Sequence, residues 1–271
     1  MDYQIPDFAR LMDGKCVLLA GYKGQLCTQI ISSFREHGAK IHCVYSGING
    51  KCAPDEIDFS KEENIHNAVI NILAKEGHID SLLFCMEPVC YVSDDKMLQA
   101  DAAEMTQRNF LAARAFVQAV LPAMKEKCTG TMVGITSDYA VSSVPGVAVY
   151  SANAAAIQSY LRSVGMEYSK YGIRSNCVML GYNIGDNGEN YKAGFGEETA
   201  MDAFARFQPI GRRGSCTDAS NAVLFCASSM STFMSGENIP VDGGTLIVGH
   251  SQVWNPKNGT AYTHMYKKEG R

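Results

Sequence analysis

The chain has 271 residues and a formal net charge of −4, which is long enough for one large α/β domain. It carries no excess of basic residues that would attract a nucleic acid or an anionic membrane. We find no run of about 18 consecutive apolar residues and no signal-peptide pattern at the start, which favours a cytoplasmic protein. The ten cysteines form no C-x-x-C pair and do not cluster with histidines, so we expect reduced core thiols and no metal site.

Short apolar runs alternate with helical patterns along the chain. Strands are predicted at KCVLLAG (15–21), AKIHCVY (39–45), DEIDFS (55–60), DSLLFCM (80–86), GTMVGITS (130–137) and IRSNCVML (173–180). Two long amphipathic helices are predicted around residues 101–126 and 150–170. This alternation predicts an α/β fold with a doubly wound parallel sheet, the Rossmann type, with ligands at the carboxyl ends of the strands. We expect one domain over residues 1–249 and a C-terminal tail over 250–271.

Two stretches resemble a known family. The first, GTMVGITSDYAVSSVPGVAVYSANAAAIQSYLRSVGMEYSKYGIRSNCVMLG, has a serine at the end of a strand, a Pro-Gly loop and a tyrosine on a helix. The second is PIGRRGSCTDASNAVLFCASSMSTFMSGENIPVDGG. Over about residues 12–249 the chain resembles the classical short-chain dehydrogenase/reductase family. The resemblance implies a fold that transfers hydride between a nicotinamide dinucleotide and a carbonyl or alcohol.

The resemblance also implies catalytic positions. Ser137 matches the serine that holds the substrate oxygen, Tyr150 the acid/base tyrosine and Asn109 the asparagine of a proton relay. The lysine that assists the tyrosine is replaced by Ala154, and the next basic residue along this helix is Arg162. A free phenol has a pKa near 10, and a neighbouring ammonium group would lower it. Proton transfer by Tyr150 is therefore expected to be impaired.

The glycine-rich loop after the first strand is altered. The family has Thr-Gly-x-x-x-Gly-x-Gly, where the glycines let the backbone approach the pyrophosphate. Here the chain reads AGYKGQLC (20–27), so Gly21 and Gly24 are retained and Leu26 stands in place of the last glycine. Lys23 is a candidate phosphate contact as a point charge.

Three further cofactor positions were compared with the family. Glu87 replaces a glycine beside the dinucleotide path, where a carboxylate repels a pyrophosphate unless it is paired. Gly185 replaces a threonine that binds the nicotinamide carboxamide, while Asp58 is retained as a candidate adenine contact. These losses predict that this chain by itself binds neither NAD nor NADP.

Three functions remain open. In the first, the chain is an inactive structural partner of an intact short-chain dehydrogenase paralogue in a hetero-tetramer, an NAD(P)-dependent alcohol dehydrogenase acting on a small molecule or an acyl-CoA. Such pairing is known for the 2-(hydroxy-phenylmethyl)succinyl-CoA dehydrogenase of anaerobic toluene degradation. In the second, it is an active NAD(P)-dependent carbonyl reductase or alcohol dehydrogenase with an unusual cofactor site that uses Lys23. In the third, it is a non-redox enzyme that reuses Ser137 and Tyr150, as halohydrin dehalogenases do.

Overall fold

The strands form one parallel sheet with helices on both faces. The computed structural model describes residues 7–47, 52–181 and 208–248. Its seven strands lie in the order β3-β2-β1-β4-β5-β6-β7. They are β1 (Cys16–Gly21), β2 (Lys40–Ser46), β3 (Glu56–Ile57), β4 (Ser81–Cys85), β5 (Gly130–Ser137), β6 (Ile173–Leu180) and β7 (Asn238–Val241). The predicted α/β fold with a doubly wound parallel sheet is confirmed, and the strand order reverses between β1 and β4.

The sequence analysis missed one strand. β7 has only four residues, NIPV, and includes a proline, which lowers any strand signal. It pairs with β6 alone, so it lies at the edge of the sheet, where a missing N–H is tolerated.

Seven α-helices accompany the strands in the described part of the chain. They are α1 (Gln25–Glu36), α2 (Glu62–Glu76), α3 (Gln99–Thr106), α4 (Ala112–Lys127), α5 (Ala148–Tyr168), α6 (Cys216–Ala227) and α7 (Thr245–Val248). The helix predicted over 101–126 is confirmed, because a π-helical turn, Gln107–Leu111, joins α3 to α4 without a gap. None of these helices has the length and apolar character that crossing a membrane would require. The predicted tail over 250–271 lies outside the described residues.

Each face of the sheet has its own apolar core. One core lies between the sheet and α2, α4 and α5, and the other lies between the sheet and α1 and α6. Successive residues of a strand alternate between them, so Leu18 packs in the first core and Leu19 in the second. Burial on both faces explains why the strands read as continuous apolar runs. The buried thiols belong to these cores, and burial raises the pKa of Cys16 to about 11 and that of Cys177 to about 12.

The carboxyl end of β6 is packed tightly against the segment that follows β7. A methyl group added at Gly181 would overlap the backbone Cα of Asp242. We expect Gly181→Ala to lower the free energy of unfolding by ~1–3 kcal/mol, measured by urea denaturation, because backbone must move to relieve the overlap. The control is Gly130→Ala, whose added methyl meets only the flexible side chain of Met124. Equal losses in the two variants would contradict this explanation.

Candidate active site

The parallel sheet brings the predicted catalytic residues to one edge. Ser137 is the last residue of β5, Tyr150 lies in the first turn of α5, and Asn109 lies in the π-helical turn before α4. All three are buried, with exposed fractions of 8%, 5% and 0%. The Ser137 hydroxyl lies close enough to the Tyr150 phenol to influence its pKa. The side chain of Asn109 is instead bonded to backbone groups of its surroundings, so its part in a proton relay stays a prediction.

The Ser137 side chain is bonded within its own turn. Its hydroxyl donates to Asp138 Oδ1 at 3.3 Å and accepts from the backbone N–H of Tyr139 at 3.1 Å. Asp138 is 1% exposed. The sequence analysis did not identify Asp138, although an acid directly after the predicted catalytic serine was a visible signal.

Tyr150 lies in a cluster of aromatic side chains. The Tyr139 ring packs edge-on against it at 6.4 Å between centroids, and the hydroxyls of Tyr91 and Tyr139 are 3.1 Å apart. Burial raises the pKa of Tyr150 well above its usual value, and electrostatic interactions with Cys85, Tyr91 and Asp138 raise it further. Only the interaction with Ser137 acts in the opposite direction.

Tyr150 is therefore a neutral phenol around pH 7, able to donate a hydrogen bond but a poor base. One turn along α5, Ala154 is completely buried in the apolar core. None of the described groups that shift the pKa of Tyr150 is a cation. The loss of electrostatic assistance to Tyr150 stays a prediction.

Asn109 holds the turn after β4. Its Oδ1 accepts from the backbone N–H of Glu87 at 2.9 Å, and its Nδ2 donates to the Met105 carbonyl at 2.9 Å. The side chain therefore fixes the turn after β4 relative to the π-helical turn between α3 and α4.

Glu87 is paired, which the sequence analysis did not foresee. Arg108 Nε donates to Glu87 Oε1 at 2.7 Å, and a second nitrogen of Arg108 bonds Glu104. The side chains of Arg108 and Glu87 are only 9% and 14% exposed. Burial raises the pKa of Glu87, and the Arg108 hydrogen bond and charge oppose that rise. The signal in the sequence was the helical i, i+4 pair of Glu104 and Arg108.

The β1–α1 turn retains features that suit a dinucleotide phosphate. Gly24 is the N-cap residue of α1 in an extended conformation and makes no side-chain cap bond, and a helix N-terminus of this kind suits an anion. Gly21 is required by packing, because an added Cβ would lie 2.9 Å from the Cys85 Cβ. Leu26 is buried in the core beneath α1.

Lys23 is engaged in ion pairs. Its Nζ lies 2.5 Å from Asp55 Oδ1 and 3.5 Å from Glu56 Oε1, and 5.9 Å from the centre of the Tyr45 ring. The proposed phosphate contact would compete with these acids, and it stays a prediction. Asp58 is bonded to Ser60, whose hydroxyl donates at 2.6 Å and holds the pKa of Asp58 below its usual value.

These residues fit a dinucleotide in part. The helix N-terminus would hold the phosphates, and the Asp58 carboxylate could accept from the adenine amino group. The tyrosine lacks its cationic neighbour. Gly185 and residues 48–50 of the predicted cofactor region lie outside the described residues.

Removal of the Arg108 side chain should be strongly destabilising. Arg108→Ala would leave Glu87 buried without its cation, and we expect a loss of ~3–5 kcal/mol in the free energy of unfolding. The double variant Arg108→Ala with Glu87→Gln removes the stranded charge and should recover part of that loss. Urea denaturation of wild type, single and double variants provides the measurement. A double variant as unstable as the single one would show that the charge of Glu87 is not the cause.

Known proteins similar to this chain are short-chain dehydrogenases and reductases. A family model described as Enoyl-(Acyl carrier protein) reductase matches residues 27–245. Cyclopentanol dehydrogenase of Comamonas sp. (strain NCIMB 9872) is 25% identical over 242 residues, covering 86% of this chain and 87% of that protein. Short-chain dehydrogenase reductase 5 of Arabidopsis thaliana is 29% identical over 255 residues, covering 88% and 96%. The structure of ElxO with NADP bound matches with a TM-score of 0.76 at 20% identity, covering 86% of this chain and 99% of that chain.

One sequence prediction is corrected by these findings. The prediction that this chain binds no dinucleotide conflicts with its family, in which the structural neighbour ElxO has NADP bound. The electrostatic repulsion expected from Glu87 was too large. Arg108 pairs with that carboxylate, so the expected repulsion of a pyrophosphate is largely cancelled.

The match of the family model covers most of the chain, including β5, α5 and the segment through β7. The sheet order and the meeting of Ser137 with Tyr150 at its carboxyl edge agree with that match. The chain is an oxidoreductase that belongs to the classical short-chain dehydrogenase/reductase family.

Proposed function

We propose that this chain is one subunit of a hetero-oligomeric, NAD(P)-dependent alcohol dehydrogenase, in which an intact paralogue supplies the tyrosine–lysine pair that this chain lacks. The dinucleotide supplies the hydride acceptor in such a reaction. Ser137 and Tyr150 of this chain hold the substrate oxygen, and proton transfer at this site is slow. The substrate is a small alcohol or an acyl-CoA that carries a secondary alcohol.

The state of Tyr150 carries this proposal. The phenol is 5% exposed, its pKa is raised by burial, and Ala154 offers no charge one turn away. A tyrosine in this state can position an oxygen but gives up its proton with difficulty. A partner subunit with the tyrosine–lysine pair would perform the proton transfer for which Tyr150 of this chain is poorly suited.

The outer surface of α5 is suited to a subunit contact. Met166 is 87% exposed, and the small residue Ala152 is also exposed on this helix. Small residues let two helices approach closely, and an exposed apolar side chain gains from burial. The proposed contact with the paralogue involves α4 and α5.

A second candidate is that this chain is a competent alcohol dehydrogenase or carbonyl reductase by itself. The observation that favours it is that Ser137 and Tyr150 are both retained and buried at the carboxyl end of the sheet, as an active site of this family needs. Relatives with names such as cyclopentanol dehydrogenase are consistent with it.

Assembly can be tested directly. We expect this chain, co-expressed with a paralogue that contains the complete Tyr-x-x-x-Lys motif, to elute as a mixed oligomer in size exclusion with mass analysis. Ala152→Arg should abolish the mixed species, because a long charged side chain would be forced into a close helix contact. The control is Ile70→Arg on α2, at a residue that is 59% exposed and far from α5 in sequence. A stable homo-oligomer that oxidises alcohols with added NAD(P) would refute the partner function and favour the second candidate.

A lysine at position 154 should act on Tyr150. In Ala154→Lys the ammonium would lie one helical turn from the phenol, and we expect it to lower the pKa of Tyr150 by ~1–3 units. The matched control is Ala154→Met, which adds a long apolar chain without charge. Tyrosinate absorbance during alkaline titration compares the two variants without any substrate. Identical titrations would show that the loss of lysine is not what sets the state of Tyr150.

A further inference from the structure

The Ser137 hydroxyl has three hydrogen-bonding positions, and the structure accounts for two of them. A serine hydroxyl can donate one bond and accept two. The one donated bond is made to Asp138 Oδ1. One accepted bond comes from the Tyr139 backbone N–H, and the second lone pair is left for a further donor.

Asp138 determines which way the hydroxyl points. Its side chain is 1% exposed, and Oδ1 lies 3.3 Å from Ser137 Oγ. That distance is longer than a common O–H···O bond, so the contact directs the hydroxyl proton toward Asp138 without forming a short bond. The other titratable groups that sense the charge of Asp138 are the phenols of Tyr91, Tyr139 and Tyr150, which are all neutral donors or acceptors near pH 7.

A substrate oxygen that enters between Ser137 and Tyr150 therefore meets a fixed pattern. Tyr150 keeps its proton and donates to the entering oxygen. Ser137 has already committed its proton to Asp138, so it can only accept. An alcohol satisfies both positions, because its oxygen accepts from Tyr150 and its hydroxyl proton donates to Ser137. A ketone oxygen cannot donate, so it leaves the Ser137 lone pair unsatisfied.

We propose that Asp138 makes this site selective for the alcohol form of the substrate over the ketone form, by fixing Ser137 as a hydrogen-bond acceptor. Asp138 is a positioning residue here, since it acts through Ser137. The inference rests on the proposed function in one respect, that the substrate oxygen is held by Ser137 and Tyr150. It does not depend on the assembly with a paralogue or on the rate of turnover.

Binding of a matched alcohol and ketone tests the proposal without catalysis. The probes are cyclopentanol and cyclopentanone, added to the purified full chain without dinucleotide, with dissociation constants from saturation-transfer NMR. We expect wild type to bind cyclopentanol about tenfold more tightly than cyclopentanone. In Asp138→Asn the amide can donate to Ser137 and release its proton, so the preference should vanish or reverse.

Two further variants keep the test decisive. Ser137→Ala should remove the preference even if Asp138→Asn fails to fold, which circular dichroism would reveal. Asp80→Asn is the matched control, because this carboxylate accepts from the Cys16 backbone at the opposite end of the sheet and should leave the preference unchanged. Equal affinities, a ketone preference or no cyclopentanol binding in wild type would overturn the proposal, as would an unchanged preference in a folded Asp138→Asn or in Ser137→Ala. Because assembly is measured separately by mass, failure of the partner function would be recognised independently.

Discussion

The ion pair of Glu87 with Arg108 is the interaction on which the site depends. It lies at the carboxyl end of β4, next to the hydrogen bond from the Glu87 backbone to Asn109. Together these contacts hold the turn after β4 against the π-helical turn that precedes α4. A glycine at position 87 would need no partner, whereas a buried carboxylate requires a cation, and Arg108 supplies it from the neighbouring helix. The arrangement keeps the sheet edge rigid while it neutralises the charge beside the dinucleotide path.

The substrate side of the site has a different electrostatic character from that implied by the family motif. An ammonium group would favour a tyrosinate, but here burial and nearby acidic groups stabilise the neutral phenol of Tyr150. The proton on Tyr150 and the acceptor on Ser137 then form an ordered pair of hydrogen-bonding positions. Asp138 supports that order from behind the serine. In the proposed function, such a site holds an alcohol and a partner subunit with the complete motif performs rapid proton transfer.

The dinucleotide side shows why a damaged motif is a weak argument for lost binding. Leu26 occupies a core position, and packing against β4 requires a glycine at position 21. The identity of these two residues is therefore not evidence for or against dinucleotide binding. The N-terminus of α1 and the Asp58 carboxylate keep the chemistry that phosphates and an adenine require. Lys23 is held by Asp55 and Glu56, and its contribution depends on the balance between those acids and a phosphate.

The sequence by itself determined the fold class, six of the seven strands and the positions of Ser137 and Tyr150, because alternating apolar runs and local motifs encode them. It also identified the missing charge at Ala154, because Tyr150 and position 154 are only one helical turn apart in the chain. Only the tertiary structure decided the pairing of Glu87 with Arg108 and the bond between Asp138 and Ser137 in a buried tyrosine cluster. A buried charge is neutralised only when a side chain from another element of the fold pairs with it. Burial raises the pKa of a tyrosine or an acid only after the chain has packed around that group.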